Sequence, residues 1–371
     1  MKVKIGDITK IKTGKLDANA SSEDGEYPFF TCSKEPLRIS TYSYDCECVL
    51  VAGNGDLNVK YYNGKFDAYQ RTYIIEDNSD GRLFMPYLYY FMEGYVEELR
   101  KQAIGGVIKY IKLGNLTDAM IELPDVEIQK KIVNILSKTK GVLDSRSHQI
   151  DMLDNLIKAR FVEMFGDARK NPNKYDTVSF IDIVEYMGDI GSNGANKVVV
   201  DHLDMKDKED YAMMVRFTNF TKNDFTDDVK YVSKEAYDFF KKSQIFGGEL
   251  IICKIGSAGQ NYVMPYLNRP VSLGLNQIMV RIKDNILMPY LYQYLHTDYG
   301  EFLISGCING AVTKTITKTE LKKIPVMLPP MELQREFVAF VEQVDKSKVV
   351  VQKAFDETQM LYDSLLQEFF G

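Results

Sequence analysis

The chain has 371 residues, an apolar share of 45% and a formal net charge of −6, so it is long enough for two soluble domains. It contains no run of eighteen apolar residues, which excludes a membrane-spanning helix, and its five cysteines lack a metal-binding spacing and favour reduced thiols. The acidic balance counts against a simple basic DNA-binding domain, because such domains neutralise phosphates with lysine and arginine; a DNA-binding chain of this charge would concentrate its cations on one face or use a positive surface of its partners.

Residues 1–122 contain short apolar segments that turn residues separate. The segments VLVAGNGD, YYNGKF and TYIIED are rich in β-branched and aromatic residues and contain or adjoin Gly, Asn and Asp, a pattern typical of short strands. The stretch PYLYYFMEGYVEELRKQ follows, and its proline is a common first residue of a helix. Residues 1–122 are therefore predicted to form a globular α+β domain.

Residues 123–166 are predicted to form a long helix. After Pro124, apolar residues alternate at spacings of four and three, which is the heptad pattern of a coiled coil. The seam residues are Ile132, Leu136, Leu143, Ile150, Leu153 and Ile157. Because such a stripe is most often a packing seam, its functional meaning depends on what the paired helices hold apart.

Residues 167–327 and 328–371 repeat this organisation. The segments LIICKIGSAG, NQIMVRI and VKYVS predict strands, PYLYQYLHTDYGEFLIS predicts a helical stretch, and a second heptad helix follows Pro329. Its seam residues are Phe337, Val341, Val344, Val351, Phe355, Leu365 and Phe369. A helix of roughly forty residues is about 60 Å long, which exceeds the roughly 34 Å of one turn of DNA.

The two halves of the chain form an internal repeat, because one register joins them over the helices and the segments before them. The matched pairs include Gly105 and Gly310, Lys109 and Lys314, Gln129 and Gln334, and Phe165 and Phe370. The expected fold is therefore α+β, with two similar domains, two long antiparallel helices that separate them, and a pseudo-twofold relation between the halves.

The junctions between domains and helices resemble those of a known family. GGVIKYIKLGNLTDAMIELPDVEIQKKIVNIL and NGAVTKTITKTELKKIPVMLPPMELQREFVAFV resemble the specificity subunits of type I restriction-modification enzymes, in which a Gly-Lys/Gln stretch leads into I-x-L-P-x-x-E-x-Q and a long helix. KARFVEMFGDARKNPNKYDT resembles that family's segment between the central helix and the second recognition domain. This chain has Glu127-Ile128-Gln129 and Glu332-Leu333-Gln334 where the family often has Glu-Gln.

The resemblance implies a DNA-recognition subunit that is not itself an enzyme. Each domain would read one half of a bipartite target in double-stranded DNA, and the helices would set the spacer and dock two methyltransferase (modification) subunits. Those partners would bind S-adenosylmethionine and methylate adenine, and restriction subunits, where present, would add ATP- and Mg²⁺-dependent translocation and cleavage. We expect no cofactor, metal or membrane contact for this chain, and a cytoplasmic location.

No catalytic motif is recognisable in the sequence. Adenine methylation needs an Asn/Asp-Pro-Pro-aromatic loop to hold the flipped base, and the segment Asn171-Pro172-Asn173-Lys174-Tyr175 lacks the second proline. The segments Gly53-Asn54-Gly55 and Gly256-Ser257-Ala258-Gly259 lack the spacing of a phosphate-binding loop, and turns explain them better.

Polar side chains in the two domains are the candidates for DNA contact, because Arg, Lys, Asn and Gln read base edges. The candidates are Asn54, Lys60, Gln70, Arg71 and Lys109 in the first domain, and Lys254, Gln260, Asn261, Asn276, Gln277 and Lys314 in the second. Each is also compatible with an ordinary solvated surface position. The shared repeat position of Lys109 and Lys314 predicts a sequence-independent phosphate contact, and the divergence of the domains predicts an asymmetric target.

Two other functions fit parts of the sequence. A pseudo-symmetric coiled-coil scaffold without DNA contact fits the acidic charge, but it gives no reason for the two domains to differ. A fused methyltransferase would need the motifs that are missing, and methyl transfer by the purified chain would favour it. A stable complex with a methyltransferase that produces no methylated motif would favour the scaffold.

Overall fold

Residues 1–371 are all described by the computed structural model, and they divide into two compact units. Unit 1 comprises Met1–Ile150 and Val350–Gly371, and unit 2 comprises Asp151–Val349. Both units combine sheets with helices, which confirms the α+β prediction. Because each unit includes a part of both long helices, the units differ from the four predicted segments, and the segment boundaries stay a prediction. None of the helices is both long and apolar enough to cross a membrane.

Unit 1 is built around one six-stranded sheet. In chain order the elements are β1 (Lys2–Lys4), α1 (Ile5–Ile8), β2 (Thr9–Thr13), β3 (Tyr27–Phe30), β4 (Leu37–Ile39), β5 (Tyr44–Ala52), β6 (Val59–Ala68), β7 (Thr72–Asp77), α2 (Met85–Gln102), α3 (Leu113–Thr117), β8 (Met120–Glu122) and α4 (Val126–Phe165). The strand order is β2-β7-β5-β6-β3-β4, with β3 and β6 parallel and the other neighbours antiparallel. Strands β1 and β8 form a separate pair.

Strand β5 is buried on both faces, and its side chains alternate between two clusters. Val49 and Val51 pack in the cluster that includes Leu88 of α2, whereas Cys48 and Leu50 pack in a second cluster on the other face. This two-sided burial fixes the register of β5, because a slip of one residue would exchange the two sets of side chains. The end of β5 is therefore held in a defined position.

Unit 2 contains two four-stranded sheets. In chain order the elements are β9 (Asp176–Ser179), β10 (Val184–Gly188), α5 (Asn196–His202), β11 (Ala212–Val215), α6 (Phe217–Thr221), β12 (Lys230–Val232), α7 (Lys234–Phe239), β13 (Gln244–Ile245), β14 (Leu250–Cys253), β15 (Asn261–Val263), β16 (Val271–Leu273), β17 (Gln277–Ile282), α8 (Met288–Leu295), α9 (Asp298–Gly306), β18 (Ile308–Asn309), β19 (Thr315–Ile316), α10 (Lys318–Leu321), β20 (Pro325–Leu328) and α11 (Met331–Phe370). The sheet orders are β10-β17-β14-β15 and β12-β11-β16-β13. Two further pairs join β18 with β19 and β20 with β9.

The predicted helical stretch of unit 2 is interrupted between α8 and α9. Thr297 caps α9, since its hydroxyl accepts a hydrogen bond from the Gly300 N–H at 3.1 Å. Gly300 also permits a close approach, because a Cβ atom there would lie 2.2 Å from the Tyr294 carbonyl oxygen. The threonine cap and the small residue together allow two short helices where unit 1 has the single helix α2.

Helix α4 begins beside a fully buried glutamine. The Gln129 Nε2 donates to the carbonyl oxygens of Arg82 and Pro124, both at 2.8 Å, and its Oε1 accepts from the Phe84 N–H at 2.8 Å. The amide thereby satisfies three main-chain groups at the point where α4 meets the segment before α2. This residue attaches the start of the long helix to the globular part of unit 1.

Helix α11 begins with the same arrangement in unit 2. Gln334 is also fully buried, its Oε1 accepts from the Leu287 N–H at 2.9 Å, and its Nε2 donates to the Pro329 carbonyl at 2.9 Å. The repeat seen in the sequence is therefore a repeat of hydrogen bonding. The role of this glutamine in the I-x-L-P-x-x-E-x-Q motif is to join a helix to a domain.

The long helices run antiparallel within each unit. In unit 1 the Arg146 guanidinium of α4 contacts the Ala354 carbonyl and the Thr358 hydroxyl of α11. In unit 2 the Arg160 Nη2 bonds to the Glu336 Oε1 at 2.9 Å, and Lys348 pairs with Asp154. The structure places the predicted seam residues at buried or half-buried positions: Ile132, Leu136, Leu143, Ile150, Leu153, Ile157, Phe337, Val341, Val344, Val351, Phe355, Leu365 and Phe369.

A polar cluster interrupts the apolar seam of unit 1. The Glu93 carboxylate of α2 accepts from the Lys140 ammonium of α4 and from the Tyr362 hydroxyl of α11. The Lys140 ammonium also contacts the Tyr89 hydroxyl at 2.6 Å. One carboxylate thus connects three helices at a half-buried site, where an unpartnered charge would cost stability.

Candidate nucleic-acid interface

Three loops of unit 1 meet at the end of β5. The Gly53 N–H donates to the Arg71 carbonyl at 2.8 Å, the Ile111 N–H donates to the Gly53 carbonyl at 2.9 Å, and the Gly55 N–H donates to the Lys109 carbonyl at 2.9 Å. These bonds join the loops after β5, after β6 and after α2. Segments that are distant in sequence therefore form one loop junction.

Unit 2 repeats this junction at the end of β14. The Lys254 N–H donates to the Asn276 carbonyl at 2.7 Å, the Ile316 N–H to the Lys254 carbonyl at 3.0 Å, and the Gly256 N–H to the Lys314 carbonyl at 3.2 Å. The three bonds match those of unit 1 one by one. Position 71 of unit 1 thus corresponds to position 276 of unit 2, which is also the spacing that relates Gly105 to Gly310 in the sequence repeat.

The junction of unit 1 brings four of the five predicted side chains together. Gln70, Arg71 and Lys109 are exposed, and Asn54 is half-buried. The Gln70 Nε2 donates to the Asp17 Oδ1 at 2.7 Å, so its amide is partly committed within the unit. Arg71 and Lys109 are the cations that this surface presents to a ligand.

The Lys60 ammonium is less available for contact with DNA than the sequence predicted. It lies in β6, its ammonium contacts the Asn58 Oδ1, and burial lowers the pKa of Lys60 below its usual value. The Asn58 Nδ2 donates to the Cys32 carbonyl at 2.8 Å, which ties a further loop to this surface. Asn58 was absent from the sequence candidates, although its place in the turn GNGDLN between two strands was an available signal.

The junction of unit 2 presents three of the predicted side chains. Gln260, Asn276 and Lys314 are exposed on loops that the main-chain bonds hold together. Asn276 has a φ of 59°, a left-handed conformation that asparagine tolerates better than most residues. The turn therefore directs an amide side chain outward at the position where unit 1 has Arg71.

Two sequence candidates of unit 2 are buried and do not reach solvent. Gln277 is fully buried, and with its amide nitrogen toward the Val215 carbonyl (3.3 Å) its oxygen accepts from the Phe217 N–H at 2.6 Å. Asn261 is also buried, and its Nδ2 donates to the Gly259 carbonyl at 3.1 Å. Both side chains satisfy main-chain groups inside the fold, so we do not carry them into the proposed DNA surface, and their assignment to DNA contact stays a prediction.

The Lys254 side chain is committed to an ion pair. Its ammonium lies 2.8 Å from the Asp189 Oδ2, and the Lys318 ammonium lies 2.9 Å from the Asp189 Oδ1. Burial would raise the pKa of Asp189, but the two ammonium groups outweigh burial and lower that pKa to about 2. Lys254 therefore contributes to the junction through its main chain and this ion pair rather than as a free cation.

Replacing Asp189 with asparagine is expected to destabilise unit 2 in a pH-dependent way. The lowered pKa means that the carboxylate stabilises the fold above the unfolded value of 3.8, and that this contribution is lost as the pH falls toward 2. The difference in the free energy of unfolding between wild type and variant should be about 2 kcal/mol at pH 7 and about half of that at pH 3. Urea denaturation at both pH values measures this difference. Asp201→Asn at an exposed position is the control, and an Asp189→Asn difference that is equal at the two pH values would contradict the assignment.

Comparisons with known proteins give a consistent result. A family model described as a type I restriction modification DNA specificity domain matches residues 1–151 and 183–354. The chain is 26% identical over 409 aligned positions to the type I restriction enzyme EcoDI specificity subunit of Escherichia coli, which covers 99% of this chain and 87% of that protein.

Two solved structures share the fold. The S subunit of the type I restriction-modification system from M. genitalium has a TM-score of 0.57 at 16% identity, covering 100% of this chain and 96% of that one. A chain from a structure concerned with complex assembly and conformational transition of the type I R-M system has a TM-score of 0.50 at 16% identity, covering 100% and 97%. At this identity the similarity establishes the fold alone.

Proposed function

This chain belongs to the family of type I restriction modification DNA specificity domains, whose model matches it in two segments, and on that premise we propose how it recognises DNA. It is the DNA-sequence recognition subunit of a type I restriction-modification system, and the scaffold alternative is not favoured. Subunits of this family are not catalytic. We propose that each unit reads one half of a bipartite, asymmetric target.

The repeated loop junction is the observation that carries this proposal. The loop junction has the same three main-chain hydrogen bonds in both units, but it exposes Arg71 in unit 1 and Asn276 in unit 2. In the major groove, arginine can form two hydrogen bonds with guanine, and asparagine can form two with adenine. The residues that we assign to DNA contact are Asn54, Gln70, Arg71, Lys109, Gln260, Asn276 and Lys314.

The proposal assigns the long helices to partner binding. Ile128, Ile135 and Val142 of α4 are exposed and spaced by seven residues, so they form an apolar stripe outside the seam. We propose that two modification subunits dock on the helices, bind S-adenosylmethionine and methylate adenine in the cytoplasm. Restriction subunits with ATP and Mg²⁺ would add cleavage to the same assembly.

Replacing both Lys109 and Lys314 with alanine is expected to weaken DNA binding by the assembled methyltransferase at every sequence. Each lysine that neutralises a phosphate contributes about 0.9 to the slope of log affinity against log salt concentration, so the double variant should lose roughly 2 units of slope. Fluorescence anisotropy with target and non-target duplexes at several salt concentrations measures the slope.

The matched control replaces two exposed lysines of the helices, Lys138→Ala and Lys346→Ala, which should leave the slope unchanged. An unchanged slope in the Lys109 and Lys314 variant would remove these residues from the interface. A loss confined to the target sequence would instead assign them to base recognition.

A further inference from the structure

Two loop tips expose a valine at the same place in both units. Val107 lies between α2 and α3, Val312 lies between β18 and β19, and their side chains are 104% and 98% exposed. One exposed valine would need no explanation. A fully exposed valine at the same repeat position of two otherwise divergent units does need an explanation, because contact with solvent alone does not favour an apolar side chain.

The two tips are held in a fixed shape. In unit 1, Ile104 and Tyr110 exchange main-chain hydrogen bonds of 3.0 and 2.9 Å across the base of the loop, and in unit 2 the paired strands β18 and β19 close it. Gly105 and Gly310 have φ angles of 120° and 98°, and a Cβ atom at either would lie within 2.6 Å of a carbonyl oxygen. Each valine is therefore presented on a closed loop that is ordered before any ligand binds.

The charge around the tips favours DNA over a protein partner. Residues 99–117 and 302–319 contain no Asp or Glu, although the whole chain has a net charge of −6. Arg100, Lys101 and Lys318 form ion pairs with Asp56, Glu98 and Asp189. The cations that these segments leave for a ligand are Lys109, Lys112 and Lys314. The tips also adjoin the surface that carries Arg71 and Asn276, through the bonds at Gly53 and Lys254. A polyanion fits this setting.

Resting on the proposed function, we propose that Val107 and Val312 contact the deoxyribose walls of a DNA groove, one in each half-site. Lys109 and Lys314, two residues further along, reach the adjacent phosphates. A contact with a thymine methyl group would depend on the base. Deoxyribose is the same at every base pair, which fits a valine that both units share although they read different bases. The apolar contact therefore adds affinity for DNA without selecting a sequence.

Photo-crosslinking identifies what the tips touch. The full chain carries p-benzoylphenylalanine at position 107, or separately at 312, and is assembled with its modification subunit on the target duplex. Because benzophenone reacts with nearby C–H bonds, we expect a covalent adduct with DNA from each position. The control position is Tyr42, which is exposed near the opposite end of β5 and should give no DNA adduct. Adducts with the modification subunit alone, or none at all, would overturn the proposal.

Substitutions test the independence from sequence. Val107→Ser and Val312→Ser should each weaken binding roughly fivefold to target and non-target duplexes alike, as expected for the loss of one apolar contact, and Val107→Ile should retain wild-type affinity. A loss that depends on one base, or no loss, would overturn the role of the tips. A wild-type complex that prefers no split target would instead contradict the proposed function, so the two failures are distinguishable.

Discussion

Replacing Gln129 with leucine is expected to lower the free energy of unfolding of unit 1 by about 3 kcal/mol, because three main-chain groups lose their buried partner. For a unit of this size the midpoint of thermal unfolding should fall by roughly 6 to 12 °C. Gln334→Leu should have a similar effect on unit 2. Thermal scans measure the midpoints, and hydrogen exchange at the Phe84 and Leu287 amides shows which unit has loosened.

The control for the buried glutamines is Gln149→Leu, at an exposed position of α4. It changes the same side chain on the same helix and should alter the midpoint by less than about 1 °C. If Gln129→Leu and Gln149→Leu had equal effects, the attachment of the helix would not depend on the buried amide.

Exchanging residues 1–122 for the corresponding segment of a relative is expected to replace one half of the methylated motif and to leave the other half unchanged. The chimaera keeps Gln129 and the whole of α4, and the partners of Gln129 within residues 1–122 are main-chain groups, which a relative of the same fold can also supply. Co-expression with the modification subunit, followed by single-molecule sequencing of host DNA, maps the methylated adenines. An exchange that changes both halves of the motif, or neither, would contradict the assignment of one half-site to each unit, and a wild-type motif with two identical halves would contradict the predicted asymmetry.

Single substitutions refine the same experiment. Arg71→Ala should relax the motif at one position in the half read by unit 1, and Asn276→Ala at one position in the other half, each at a cost of about 1–3 kcal/mol in discrimination. Relaxation of both halves by one substitution would show that the residue acts on affinity rather than on base recognition.

The elements of this fold that depend on local sequence were predictable. The heptad spacing of α4 reflects which face of that helix is buried, and the continuous apolar runs of β5 and β7 reflect their burial, so the information lies within a few residues. Lys109 and Lys314 could be matched because the repeat keeps one register up to the helices. The equivalence of Arg71 with Asn276 was not recognised, because the segments from β5 to Arg71 and from β14 to Asn276 differ in length and sequence.

The sequence candidates that the structure places away from a free surface are polar residues whose partners are distant in sequence. Gln277 and Lys254 have side chains of the type expected at a DNA surface. However, Gln277 bonds to the main chain of Val215 and Phe217, and Lys254 pairs with Asp189. Nothing near these residues in the chain shows that such partners exist. A polar residue in a sequence indicates only that its side chain needs a hydrogen-bonding partner, which can be solvent, a ligand or the main chain.

The contacts of Glu93 with Lys140 and Tyr362 oppose a slide of α4 and α11 along each other. Apolar seam residues recur along a helix, so they would tolerate a slide of one turn, about 5.4 Å. The same slide would separate Tyr362 from Glu93 and leave a half-buried charge without its partners. Slippage is thereby blocked in unit 1. An inserted or deleted residue would instead change the length of a helix by about 1.5 Å along its axis.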